Sequence, residues 1–119
     1  MNQVTGKAGE QAALLHLIKN GYQLVCRNYR CRLGEVDLIM RRDHILIFVE
    51  VKTRKSTQYG LPRESVTYAK QKKIYQIAQQ YIQRYRINHL LFRFDVIEIL
   101  CKNGEEQINH IENAFTFNG

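Results

Sequence analysis

The sequence predicts an α/β sandwich, in which helices pack on a mixed central sheet of four to five strands. Two segments repeat apolar residues at helical spacing, and four or five others are rich in β-branched and aromatic residues. They follow one another as helix, three strands, helix, then one or two strands, an order that suggests a mixed sheet. Residues 1–119 are expected to form a single domain, because a chain of this length has room for one core.

The first helix is predicted over residues 7–20. Thr5 is the candidate N-cap, and Gly21 suits the left-handed position that ends many helices. Glu10 lies within the apolar stripe of this helix, so an acidic side chain is expected to point toward the core. The stripe itself contains Ala13, Leu14, Leu17 and Ile18.

Strands alternate with turns through the middle and end of the chain. Arg42-Asp43-His44 joins the two central strands as an antiparallel hairpin, and Asn103-Gly104 forms a turn before a short edge strand. The five predicted strands cover residues 22–30, 35–41, 45–53, 90–100 and 107–112.

The second helix is predicted over residues 67–85, after a loop marked by Gly60-Leu61-Pro62. Lys70 falls one turn before Ile74 and therefore on the apolar face, and Lys73 lies nearby. That face contains Ile74, Ile77, Ala78, Tyr81, Ile82 and Tyr85.

The two central strands carry charges where burial is expected. By alternation, Glu35, Asp37 and Ile39 share one face of their strand, and Phe48, Glu50 and Lys52 share one face of the next. A hairpin loop with an even number of residues places Asp37 and Glu50 on the same sheet face, whereas an odd loop separates them. Because an unpaired charge in a dry core is costly, we expect something to compensate these carboxylates.

A hard divalent cation is the compensating group that the pattern favours. Mg²⁺ prefers oxygen ligands and takes only one or two carboxylates, which Asp37 and Glu50 can supply. The backbone carbonyl of Val51 is a candidate third ligand. Lys52 can hold a nucleophilic water or neutralise charge on a phosphoryl group.

Two further side chains are predicted to complete a catalytic site. Glu10 arrives from the first helix and can orient a water or help to hold a second ion, and Lys70 can contact phosphate. The pattern also permits simpler readings. Glu50 and Lys52 can form only a salt bridge, Asp37 can pair with Lys52, Glu10 can bond a backbone amide, and Lys70 can extend to water.

The remaining polar residues offer no competing catalytic constellation. Asp95 is interpreted as a partner of Arg93 rather than a member of the site. The four histidines lack ligand spacing and are expected at the surface: His16, His44, His89 and His110.

The chain is basic, with a formal net charge of +7 and an isoelectric point near 9.5. Seven basic residues and one acid lie between positions 52 and 73, and Arg27, Arg30 and Arg32 form a second cluster. Such surfaces attract polyanions, although a solvated basic face has the same composition. The residues predicted to bind nucleic acid are Arg30, Arg54, Lys55, Lys70 and Lys73.

Targeting signals and membrane segments are not predicted. No apolar run approaches the roughly 20 residues needed to cross a bilayer, and the first residues lack the pattern of a secretory signal. A cytoplasmic protein with no membrane partner is therefore expected. Cys26, Cys31 and Cys101 are interpreted as reduced structural thiols.

Short motifs spread over nearly the whole chain resemble those of the YraN family, a bacterial family of small, largely uncharacterised proteins. The matching segments are Gly9-Glu10-x-Ala12-Ala13, Gly21-Tyr22, Arg27-Asn28-Tyr29-Arg30, Gly34-Glu35-Val36-Asp37-Leu38-Ile39, Phe48-Val49-Glu50-Val51-Lys52-Thr53-Arg54, Gly60-x-Pro62, Lys70-x-x-Lys73-Ile74, Arg93-Phe94-Asp95-Val96 and Asn113-Ala114-Phe115.

This family resembles the restriction-endonuclease-like superfamily and is similar to archaeal Holliday-junction resolvases. The resemblance implies a restriction-endonuclease-like sandwich, in which Glu10 is the helix acid, Asp37 the first strand acid, Glu50 and Lys52 the acid-x-lysine pair, and Lys70 the later helix position. It also implies a Mg²⁺- or Mn²⁺-dependent endonuclease acting on DNA, with branched or flapped DNA among the candidate substrates and a homodimer as the candidate assembly.

Two other functions fit the same sequence. One is a non-catalytic nucleic-acid-binding module with the same fold. The other is a structural partner of another DNA-processing protein. The complete set of acids and lysines favours the nuclease, whereas DNA binding without metal would favour the module and affinity for a protein alone would favour the partner.

Overall fold

The structure is a computed structural model that describes residues 2–54, 66–102 and 104–116. Two helices and five strands follow one another in the predicted order. Their bounds are α1 (Asn2–Lys19), β1 (Gln23–Cys31), β2 (Gly34–Arg42), β3 (Ile45–Arg54), α2 (Tyr68–Arg84), β4 (Leu91–Lys102) and β5 (Glu105–Ile111).

The five strands form one sheet in the order β1-β2-β3-β4-β5. Neighbouring strands run antiparallel except β3 and β4, which pair in parallel. Parallel neighbours need a long crossover, and α2 lies in the connection between them. The predicted α/β class with a mixed sheet flanked by helices is confirmed, and this arrangement is consistent with a restriction-endonuclease-like sandwich.

Each face of the sheet packs against one helix. Leu38 and Met40 point to the face covered by α1, where Ala13, Leu14 and Leu17 complete a core. The core on the opposite face belongs to α2 and contains Ile39, Leu46, Phe48, Ile74, Ile77, Ala78 and Tyr81. The two helices therefore approach the central strands β2 and β3 from opposite sides.

The turn between β2 and β3 sets the register of the central strands. Arg42 pairs with Ile45, so only Asp43 and His44 form the loop, one residue fewer than predicted. Asp43 adopts a φ of 53°, which suits a tight hairpin. A two-residue loop has the even parity that brings Asp37 and Glu50 together.

Several local predictions differ from the structure. Helix α1 begins at Asn2, so Thr5 lies inside the helix and is not its N-cap. Ile18 is 48% exposed and does not join the buried stripe, and Tyr85 at the end of α2 is also exposed. The loop predicted around Gly60-Leu61-Pro62 lies outside the described residues.

Helix ends and membrane character complete the description. Thr67 caps α2, where its hydroxyl accepts a hydrogen bond from the Lys70 backbone N–H. Gly21 has a φ of +90°, as predicted for the residue that ends the first helix. Within the described part of the chain, neither helix has the combined length and apolar character needed to cross a membrane.

Candidate active site between β2, β3 and α2

Asp37 and Glu50 lie where the β2–β3 pairing ends. The last paired residues are Leu38 and Val49, and each acid is the next residue along its strand. Asp37 Oδ2 accepts a hydrogen bond from the Val51 backbone N–H at 2.8 Å. The Asp37 side chain thus takes the place of a main-chain partner, and its carboxyl group contacts that of Glu50.

Two lysines from different elements approach the same oxygen of Glu50. The Nζ atoms of Lys52 on β3 and Lys70 on α2 each lie 3.6 Å from Glu50 Oε2. These distances are ion-pair contacts rather than hydrogen bonds. The Glu50 side chain is 6% exposed, whereas those of Lys52 and Lys70 are 36% and 38% exposed. Both ammonium groups are therefore available to an anion in solution.

The pKa values of Glu50 and Asp37 are both raised, because the nearby lysines offset the burial of these carboxyl groups only in part. Burial raises the pKa of Glu50 to about 7, and repulsion from Asp37 adds to the effect while Lys70 and Lys52 oppose it. Burial also raises the pKa of Asp37, against the lowering effect of the hydrogen bond from Val51. The pair therefore retains a proton to higher pH than ordinary carboxyl groups do, or attracts another positive charge.

One oxygen of this pair has no donor. Glu50 Oε1 is buried, and within the described residues no donor forms a hydrogen bond with it. The carboxyl groups of Glu50 and Asp37 can form a hydrogen bond with each other only when one of the two carries a proton. A buried acceptor left in this state costs about 1–3 kcal/mol, so the chain maintains this site at the expense of its stability.

Strands β1 and β2 depart from regular alternation of side chains beside Asp37. Cys26 and Tyr29 contact the same core although they lie three residues apart, and so do Val36 and Ile39 on β2. Strict alternation is thus broken on both strands, at the level where Asn28 adopts a left-handed φ of 51°.

The predicted sharing of one face by Glu35, Asp37 and Ile39 is consequently wrong for Glu35. Glu35 lines a cavity with Lys7 and Glu10 on the α1 side, whereas Ile39 packs on the α2 side. Asp37 interacts with residues of both helices: its charge raises the pKa of Glu10 on α1, and the charge of Lys70 on α2 lowers the pKa of Asp37. Sequence reasoning missed the role of Asn28; its one signal was an asparagine in mid-strand, a residue that tolerates left-handed backbone.

Glu10 borders the site on the α1 side. Burial and the charges of Asp37 and Glu35 raise its pKa. Its position depends on Gly9, since a Cβ at that residue would lie 2.2 Å from the Thr53 hydroxyl oxygen on β3. Gly9 therefore allows the close helix–strand approach that holds Glu10 beside Asp37.

The donor set fits a hard divalent cation. Among the described residues, no three His, Cys, Asp or Glu side chains form a metal-binding group. Asp37 and Glu50 nevertheless form a pair of carboxylates, and Mg²⁺ is commonly held by one or two carboxylates together with waters and substrate oxygens. The unpartnered Glu50 Oε1 is the specific observation that supports this fit. The predicted ligand role of the Val51 carbonyl stays a prediction.

The predicted nucleic-acid contacts fall in different places. Arg30 is 79% exposed and paired with Glu35, and Lys73 is exposed on α2. Arg54 Nε lies 2.9 Å from the buried Glu98, with only 16% of its side chain exposed. Lys55 lies outside the described residues. Their roles in binding stay predictions, and the geometry favours Arg30 and Lys73 over Arg54.

Known proteins are similar in sequence to this chain over most of its length. The model of "Uncharacterised protein family UPF0102" matches residues 9–99. A UPF0102 protein of Clostridium tetani is 47% identical over 116 residues, which is 96% of this chain and 95% of the relative. The chain belongs to this family. A second UPF0102 protein, from Caldicellulosiruptor saccharolyticus, is 43% identical over 112 residues, covering 92% of this chain and 95% of the relative.

UPF0102 is the YraN family whose motifs the sequence resembles, so that prediction is confirmed. Among solved structures, SfsA of Pyrococcus furiosus in complex with Ca²⁺ aligns with a TM-score of 0.37 and 16% identity. The alignment covers 93% of this chain and 63% of SfsA. The fold of this chain is defined by its own elements and strand order, described above.

Proposed function

We propose that the protein is a metal-dependent endonuclease that hydrolyses phosphodiester bonds in DNA, with branched DNA among its substrates. One observation carries the proposal: Asp37 and the buried Glu50 form a carboxyl pair with an unpartnered oxygen, and two half-buried lysines place their ammonium groups against it. The resemblance of the sequence motifs to restriction-endonuclease-like proteins supports the same function, whereas the description of the family names no reaction.

Each residue of the candidate site has a role in the proposed reaction that follows from the position of its side chain. Asp37 and Glu50 would hold a Mg²⁺ or Mn²⁺ ion, which when bound polarises a phosphoryl oxygen and lowers the pKa of a water. Lys52, whose ammonium lies 3.6 Å from Glu50, neutralises the negative charge that develops on the phosphoryl oxygens. Lys70 approaches from α2 and holds a phosphate oxygen. Glu10 lies on the opposite side of Asp37, where it orients a water.

The hydrogen bond from Val51 gives Asp37 a fixed orientation before any ligand binds. A preorganised carboxylate does not have to be reoriented during the reaction, and such preorganisation is a large source of catalytic power. The net charge of +7 further favours the approach of a polyanion.

A cleavage panel tests the proposal. Linear, nicked, flapped and four-way DNA are incubated with the protein in Mg²⁺, in Mn²⁺ and in EDTA. We expect cleavage with a metal, none in EDTA, and none by Glu50→Gln. If the wild type binds DNA in EDTA but cleaves no substrate under either metal, the nuclease proposal is wrong and the non-catalytic binding module replaces it.

A further inference from the structure

A second basic feature lies away from the carboxyl pair. A groove of about 480 Å³ separates the β1–β2 turn from the C-terminal half of α2. None of its lining residues is acidic, and they combine three guanidinium groups with two carboxamides. The lining residues are Arg30, Cys31, Arg32, Gln80, Gln83 and Arg84.

Two of these guanidinium groups carry positive charge that the fold does not neutralise. Arg32 and Arg84 are both exposed, and neither forms an ion pair with a described carboxylate. The Arg84 guanidinium lies 5.4 Å from the centre of the Tyr85 ring, a contact that restrains it without cancelling its charge. The groove is therefore suited to an anionic ligand.

A polar stripe along α2 connects the groove to the candidate active site. It contains Lys70, Lys73, Gln80 and Arg84, which share one helix face by their spacing of three, seven and four residues. Lys73 lies beside the β1–β2 turn, since a Cβ added at Gly34 would be 3.2 Å from Lys73 Cδ. At 1.5 Å per residue, the path from Lys70 to Arg84 is roughly 21 Å long.

This length and chemistry match a nucleic-acid backbone. Phosphates repeat every ~3.4 Å along the axis for each strand of a duplex, so ~21 Å corresponds to about six phosphates. The planar guanidinium group binds phosphate with two parallel hydrogen bonds, and the carboxamides of Gln80 and Gln83 add donors. A single free anion would need only one of these positions, whereas a polyanion uses all of them.

We propose that this groove binds the backbone of one DNA strand about 20 Å from the phosphate that is cleaved. The proposal deepens the function proposed above and rests on it for the identity of the polyanion. It assigns Arg32 and Arg84, together with Gln80 and Gln83, to substrate binding. It also predicts a footprint that extends from the carboxyl pair along α2.

The test measures DNA affinity without cleavage. Fluorescence anisotropy with a labelled duplex in EDTA gives the slope of log K against log salt concentration for the wild type and variants. Each phosphate contact contributes about −0.9 to this slope. We expect Arg32→Ala/Arg84→Ala to make the slope shallower by about 1.8, and Arg32→Lys/Arg84→Lys to restore it.

Lys19→Ala provides the matched control, because this exposed residue ends α1 far from the groove and should leave the slope unchanged. A double variant that keeps the wild-type slope, or a wild type that does not bind the duplex, would overturn the groove proposal. A different outcome is a shallower salt slope in Arg32→Ala/Arg84→Ala together with no DNA cleavage by the wild type under Mg²⁺ or Mn²⁺. That result would reject the proposed nuclease activity but support DNA binding by the groove. Circular dichroism of both double variants checks that they fold.

Discussion

Asp95 on β4 and Glu50 on β3 are both buried acids on neighbouring parallel strands, but their surroundings differ. Asp95 is fully buried, and Arg93 donates to both of its oxygens at 2.8 Å. The backbone N–H of Asn113 donates at 3.0 Å, and His110 Nε2 lies 2.7 Å away. Every acceptor of Asp95 is thus satisfied from within the chain.

Glu50 lacks such compensation, although it is buried to a similar extent. Its nearest cations stay at 3.6 Å, and one of its oxygens has no described donor. Burial alone would raise the pKa of Asp95, but bonds from His110, Arg93 and Asn113 hold it below its ordinary value. The pKa of Glu50 instead rises to about 7. The difference separates a structural acid from one that is available to an external cation.

Among the variants that test the difference between Asp95 and Glu50, we expect Asp95→Ala to have the largest effect. Removing one partner of a buried ion pair leaves an unpaired charge and typically costs 3–5 kcal/mol, so we expect the free energy of unfolding to fall by about that amount. Urea denaturation measures it. The control is Glu112→Ala, because Glu112 is 55% exposed and 3.9 Å from the same Arg93. A surface pair contributes about 0–1 kcal/mol, and equal losses in the two variants would contradict the structural role of Asp95.

Lys52→Ala tests the proposed role of Lys52 in DNA cleavage. Removing one preorganised charge from the transition state typically lowers the rate by on the order of 10²–10³, whereas both carboxyl groups remain in place. We expect near-normal DNA affinity and a cleavage rate lower by that factor in single-turnover kinetics. Lys72→Ala on the exposed side of α2 is the control, with slightly weaker binding and an unchanged rate at saturation. If Lys52→Ala cleaves DNA at the wild-type rate, Lys52 has no part in the proposed mechanism.

The pH dependence of stability gives opposite signs for the two acids. The contribution of Glu50 is fully present below its ordinary pKa of 4.5 and is lost as the pH rises through about 7. The contribution of Asp95 is present above 3.8 and is lost as the pH falls below that value. In EDTA, the wild type should therefore lose on the order of 3 kcal/mol between pH 4.5 and 7 because of Glu50.

Glu50→Gln isolates that effect, because the amide fills the same space without a titratable proton. We expect urea denaturation curves of this variant to show a smaller loss of stability between pH 4.5 and 7 than the wild type, because the raised pKa values of Asp37 and Glu10 still contribute, while the acid-side loss assigned to Asp95 remains. If the variant and the wild type show the same pH dependence in EDTA, the raised pKa of Glu50 is not the cause.

Part of the site could be predicted because it depends on the alternation of side chains along a strand. Alternation along β3 places Glu50 and Lys52 on one face. The meeting of Asp37 with Glu50 depends on an even hairpin loop, and here the sequence predicted three loop residues where the structure has two, Asp43 and His44. Lys70 followed from helical spacing relative to Ile74. These are local rules, and they are read directly from residue types and intervals.

The rest depends on tertiary contacts that no interval encodes. Alternation breaks on β1 and β2 at the level of Asn28, whose backbone is left-handed, so Glu35 was assigned to the wrong side. His110 was expected at the surface, yet its side chain is 12% exposed and contacts Asp95. The groove between the β1–β2 turn and α2 joins residues some fifty positions apart, and only packing shows that Arg32 and Arg84 share it.

The central claim is that Asp37 and Glu50 bind a divalent cation. It is tested most directly by comparing the stability of the wild type and of Glu50→Gln with and without metal. Free energies of unfolding are measured at pH 8 in EDTA and in Mg²⁺. In EDTA the variant should be more stable than the wild type. Mg²⁺ should stabilise the wild type, by about 2.7 kcal/mol at a hundredfold excess over its dissociation constant, and leave the variant unchanged. A wild type that is the more stable protein in EDTA and does not respond to Mg²⁺ would show that the pair is an ordinary structural contact.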